Sequence, residues 1–75
     1  MPRLNSVQAE ALRERLYCKI IKYPNDVQSA SEWKDSGFSS FSTAQVKRQL
    51  EQLVSQDRIK AHRHPGIVYY GSLTT

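Results

Sequence analysis

Between Ser42 and Gln52 the chain sets out Thr43, Ala44, Gln45, Lys47, Arg48, Gln49 and Gln52, side chains whose combined chemistry suits the edges of base pairs. Arginine can bond guanine in bidentate fashion, glutamine can do the same to adenine, and alanine or the threonine methyl can touch the thymine methyl. Glutamine, lysine and arginine are also good helix formers on any solvated face. The feature that favours the chemical reading is the absence of Asp and Glu from Ser42 to Leu50, with Glu51 standing at the rim, because carboxylates would oppose phosphates. A second cluster, Lys60, His62, Arg63 and His64, offers charge for a phosphate backbone or for the negative potential of a narrow minor groove.

Other chemistries find too few groups. The pair His62-x-His64 falls short of the three or four ligands a zinc site needs, so no metal and no cofactor is expected. No Ser-His-Asp set, glycine-rich phosphate loop or paired acids occurs, and no catalysis is expected. Cys18 is the one cysteine; it cannot close an internal disulfide, and its place in a helical pattern predicts a small buried hydrophobe. No apolar run approaches the roughly 20 residues needed to span a bilayer, and no secretory leader pattern opens the chain. The expectation is a cytoplasmic protein, nucleoid-associated in a prokaryotic or viral setting, with no membrane contact.

With 75 residues there is room for one domain, whose core must be built from about a dozen apolar side chains. The net charge of +4 is unevenly placed: residues 1–22 and 43–66 each carry five positive and two negative charges, while residues 23–42 carry one positive and three negative. Two basic lobes around an acidic middle suit a polyanionic partner.

The elements that must position these groups follow from spacing. After Asn5 and Ser6, Ala9, Leu12, Leu16 and Ile20 draw one apolar stripe, predicting a helix over about 6–22 that stops at Tyr23-Pro24-Asn25. Ser29 and Glu32 form a capping box for a short second helix over about 30–36 with Trp33 as its apolar anchor, closed by Gly37. Phe38 and Phe41, within a serine-rich stretch, predict a turn pinned to the core. Ser42 and Gln45 form another capping box, flanked by Phe41 and Val46 as a hydrophobic staple, so a third helix is expected over about 43–56. Val46, Leu50, Leu53 and Val54 form its buried side, centred about 30° from Val46 at about 100° per residue. That choice turns Ala44, Gln45, Arg48, Gln52 and Ser55 outward, with Thr43, Lys47 and Gln49 on the flanks. Arg58–Arg63 and Ile67–Gly71, parted by His64-Pro65-Gly66, predict a β-hairpin over about 58–71. Ile59, Ala61, Ile67 and Tyr69 are expected on its core side. Val27 is the candidate for a third short strand at the hairpin base, and residues 72–75 are expected to fray.

Helix, short strand, helix, turn, helix, hairpin is an order that resembles the winged helix-turn-helix superfamily, and the likeness is carried by Ser29 to Tyr70. Ser29-Ala30-Ser31-Glu32-Trp33 resembles the opening of that superfamily's second helix, Ser42 to Ile59 its recognition helix leading into the first wing strand, and Val68-Tyr69-Tyr70 its returning strand. Most members have glycine where this chain has Asp57, and the turn before helix 3 is long and aromatic. The resemblance implies an α+β winged domain over 1–75 that binds double-stranded DNA as a small transcriptional regulator or accessory factor. Its recognition residues would be Ser42, Thr43, Ala44, Gln45, Lys47, Arg48 and Gln52, and its wing residues Lys60, His62, Arg63 and His64.

Two other partners compete or combine with DNA. Winged domains also serve as protein docking units, since a fold does not determine a function; that reading calls for an exposed apolar patch on helix 3 or the hairpin. Recognition of left-handed duplex calls for an aromatic residue near the place of Glu51. On helix 1, Leu4, Val7, Ala11 and Cys18, interrupted by Glu14, lie opposite the main stripe. They could pair two copies on a palindromic site, unless Leu4 and Val7 fold back onto their own chain.

Overall fold

Each helix begins on a reciprocal cap. In the computed structural model, which describes residues 4–74, the Asn5 side chain accepts the Gln8 N–H at 2.8 Å and Gln8 Oε1 accepts the Asn5 N–H at 3.1 Å. The same box joins Ser29 to Glu32 and Ser42 to Gln45. Each satisfies two backbone donors that a helix end leaves open, which is why all three starts were legible in sequence. Residues 1–3 and 75, part of the expected 1–75 domain, lie outside the described residues.

The described residues form an α+β fold of three helices and a three-stranded antiparallel sheet. The elements are α1 (Ser6–Lys22), β1 (Gln28–Ser29), α2 (Ala30–Asp35), α3 (Thr43–Ser55), β2 (Lys60–His64) and β3 (Ile67–Gly71), with strand order β1-β3-β2. The third strand exists, one residue beyond Val27: Gln28 and Ser29 pair with Tyr70 and Tyr69.

Leu12, Leu16 and Ile20 of α1, Ala30 and Trp33 of α2, and Val46, Leu50 and Leu53 of α3 meet Phe38, Ile59 and Tyr70 in one core. Trp33 is fully buried, and its Nε1–H donates to the Tyr70 carbonyl at 2.8 Å. That bond satisfies the indole inside the core and fastens α2 to the sheet. Phe38 is buried and Phe41 packs against the core, so the aromatic turn is pinned as its residues imply.

The end of α3 explains where the hairpin starts. The Asp57 N–H donates to the Val54 carbonyl and the Arg58 N–H to the Leu53 carbonyl, with Asp57 at φ +58. These are the two bonds of a Schellman cap, made with aspartate in the left-handed position that glycine usually fills. At the other end of β2, Pro65 and Gly66 make a two-residue turn in which Gly66 holds φ +82, as a proline-then-glycine turn of type II requires.

Three sequence expectations are overturned. Cys18 is exposed, because it lies two residues from both Leu16 and Ile20 and helical geometry turns it roughly 200° from each. Ser72 is buried rather than frayed, its hydroxyl donating to the Pro24 carbonyl at 3.0 Å. In β3, Val68 and Tyr70 face the core, whereas Ile67 is 41% exposed. The run Ile67-Val68-Tyr69-Tyr70 is apolar on both faces, so its parity cannot be read from alternation.

Candidate nucleic-acid interface

Of the side chains expected to read bases, Thr43, Ala44, Lys47, Arg48 and Gln52 are exposed on α3. Three of the polar ones are engaged elsewhere. Gln49 is 5% exposed and accepts a bond from Arg13 Nη1 of α1 at 3.2 Å. Gln45 is half-buried, its Oε1 accepting the Ser42 N–H at 2.9 Å to complete the cap, and Ser42 is half-buried in the same box. The core direction of α3 is therefore rotated toward α1 relative to the sequence expectation, by about 40° at about 100° per residue. Gln49 joins the buried side and Val54 moves to its margin. The outer surface comprises Thr43, Ala44, Lys47, Arg48, Gln52 and Ser55, with half-buried Glu51 beside them.

The hairpin sorts its residues by parity. Lys60, His62 and His64 share one face of β2, and Ala61 and Arg63 the other. Lys60 and His64 are exposed, and the His64 ring meets Tyr69 edge-on at 5.7 Å. His62 is half-buried and its Nε2 is inaccessible, so it lies beneath the surface that its neighbours form. Arg63 points toward α3: its Nη2 meets Glu51 Oε1 at 2.9 Å and its Nη1 meets Glu51 Oε2 at 3.3 Å. Tyr70 closes this group, its hydroxyl donating to Glu51 Oε2 from below.

Sequence spacing puts Glu51 at the rim and Arg63 among the cations of the hairpin and does not reveal that they meet with Tyr70 in one group. The one hint was a lone acid one helical turn after Lys47. Its electrostatics are consistent. Arg63, hydrogen bonded to Glu51, holds that carboxyl below its ordinary value of 4.5, with Tyr70 adding to the effect against the cost of burial. Burial and the neighbouring carboxylate push the Tyr70 phenol well above its ordinary range. Glu51 is thus a neutralised acid, and Arg63 a cation already engaged.

The hairpin tip and α3 meet on one side. Lys47 of α3 and Gly66, Ile67 and Val68 of the hairpin line a common hollow of about 230 Å³, completed by Ser29–Ser31 at the start of α2. Beyond α3 on the other flank, Leu4 and Ala9 of α1 line a hollow of about 170 Å³ with Gln45, Arg48 and Gln49. Leu4 packs against the core, while Val7 is 74% exposed and Ala11 and Cys18 are exposed as well. Among the described residues, no group of three or more His, Cys, Asp and Glu is placed to hold a metal, and no helix is long and apolar enough to cross a membrane.

Comparison with protein-family models, with curated proteins and with solved structures finds no match.

Proposed function

We propose that this chain is a winged helix-turn-helix domain that binds double-stranded DNA, as a small transcriptional regulator or accessory factor and without catalysis. α3 is the recognition helix in the major groove, and the hairpin is a wing lying on the backbone or in the minor groove. Thr43, Ala44, Arg48 and Gln52 face the base edges in this reading, Lys47 and Lys60 face phosphates, and His64 lies at the wing tip. The observation that carries the proposal is the hollow shared by Lys47 and the hairpin tip. Lys47, on the exposed side of α3, and the turn of the hairpin border the same hollow, which supports contact of both with one duplex.

Selection from a random duplex pool followed by binding titration tests it. Arg48→Ala should weaken the selected site by about 1–3 kcal/mol with the fold intact. Lys60→Ala should lower the slope of log K against log salt by about one. Equal affinity of Arg48→Ala and parent for the selected site, or a flat salt response, overturns the proposal.

A second reading, a protein docking unit, draws on Ile67, 41% exposed on the outer face of the hairpin beside half-buried Tyr69. Because Ile67 also borders the hollow beside Lys47, Arg48→Ala separates the two, weakening DNA binding while leaving a docked protein in place. Pairing of two copies through α1 has lost Leu4 to the core and would rest on Val7, Ala11 and Cys18. A monomer in sedimentation at high micromolar concentration removes it.

A further inference from the structure

A groove of about 470 Å³ runs between the second half of α1 and the end of α2, lined by Arg15, Cys18, Lys19 and Lys22 on one side and Ser36, Gly37 and Phe38 on the other, with Glu14 at its margin. No residue of α3 or the hairpin lines it, so it is separate from the proposed DNA face. Its floor is apolar: the Cys18 side chain is exposed there between the alkyl stems of Arg15, Lys19 and Lys22, with Phe38, 4% exposed, closing the base beneath Arg15. Its rim is cationic. Arg15, Lys19 and Lys22 follow one another at helical spacing over roughly 10 Å of α1, and none forms an ion pair among the described residues. Their neighbours are rings instead, Arg15 at 5.4 Å from the Phe38 centroid and Lys19 and Lys22 at 5.4 and 5.8 Å from that of Tyr23. Glu14, the acid at the margin, is occupied by Arg58.

Three cations without acidic partners could meet phosphates. A phosphate backbone, however, needs no apolar floor, and this one can accept a whole side chain. We infer that the groove is a docking site for a short acidic segment of a partner protein, one bulky apolar side chain seated on Cys18 and the alkyl stems beside it and carboxylates set against Arg15, Lys19 and Lys22. The pairs lie at an exposed rim, so they select the partner and speed encounter more than they hold it. The apolar side chain supplies most of the affinity. A domain built this way could grip DNA on one side and carry a second protein on the other.

The probe is a synthetic peptide of Asp and Glu around one Trp and one Leu, compared with its Asn and Gln counterpart, titrated into the isotope-labelled full chain and followed by amide chemical shifts. The expected result is saturable shifts at Arg15, Cys18, Lys19, Gly37 and Phe38 for the acidic peptide, together with slower reaction of the Cys18 thiol with a maleimide. Lys19→Glu with Lys22→Glu should weaken binding by about tenfold or more, and Arg48→Ala should leave it unchanged, which separates this site from the DNA reading. Phe38 belongs to the core and is left intact; amide spectra of the two-lysine variant, altered only on an exposed rim, verify folding. Equal binding of the neutral peptide, shifts on α3 or the hairpin, no saturable shift, or a duplex oligonucleotide moving the same groove amides each overturns the inference. The last outcome would mark a phosphate surface, and concentration-dependent shifts without peptide would mark a second copy of this chain.

Discussion

Among the described residues two guanidinium–carboxylate pairs tie distant parts of the chain together, and they do so in unlike surroundings. Arg58, just past α3, grips Glu14 of α1 with both terminal nitrogens at 2.6 and 2.7 Å and lies 4.0 Å above the Tyr17 ring. Arg63 grips Glu51 at the edge of the proposed DNA face, with Tyr70 bonded to the same carboxylate from the core. The first pair competes only with water. On the proposed DNA face the second would compete with phosphate, since a duplex brought to α3 would offer Arg63 another anion. Equivalent chemistry is therefore set to different work: one pair holds a helix end in place, and in the proposed reading the other sets how much positive charge the DNA face presents.

The largest effect that could break this comparison belongs to Tyr70→Phe. Loss of a partly buried hydroxyl bond to a carboxylate should cost about 1.5–2 kcal/mol in urea unfolding. A cost below about 0.5 kcal/mol would mean that Tyr70 is not part of the lock.

Glu51→Gln comes next. Removing the acid frees Arg63 for phosphate, so DNA affinity should rise by about three- to tenfold and the salt slope should steepen by about 0.9. Glu14→Gln is the matched control and should leave both unchanged, although it too loses an arginine pair. Equal effects from the two variants would erase the distinction drawn between the pairs.

A third difference appears in acid. The Glu51 carboxyl is held below 4.5 by Arg63 and Tyr70, so its contribution to stability is fully present above pH 4.5 and is lost as pH falls through its lowered folded-state value. Glu14 is lowered in the same direction by Arg58. Each Gln variant should flatten the acid limb of the stability profile, and DNA affinity of the parent should rise as Glu51 is protonated while the fold persists. Unfolding followed from pH 6 down to about pH 2, with and without duplex, checks both signs.

The smallest effect concerns the joint that aims Arg58. Asp57 holds φ +58, which glycine adopts without the strain of a β-carbon, so Asp57→Gly should stabilise the chain by about 0.5–1 kcal/mol. DNA affinity should not change. A loss of stability would show that the Asp57 side chain contributes more than its backbone conformation costs.

The starts of all three helices, the aromatic turn, the hairpin and its Pro65-Gly66 tip were legible because each is specified by residues within four positions of one another. Caps, turns and amphipathic stripes are local bargains between a side chain and nearby backbone. The exposed cations Lys47, Arg48 and Lys60 could be placed for the same reason. What could not be read was decided by contacts between residues far apart in the chain. Arg13 reaching Gln49 draws that glutamine into the α1–α3 seam and rolls the outer face of α3. Trp33 bonded to Tyr70, with Tyr70 bonded in turn to Glu51, selects which side of an apolar strand faces inward and engages Arg63. An amino-acid sequence sets out such groups in order; only the closed core determines which of them meet, because burial makes an unmatched polar group costly and so forces one pairing out of several.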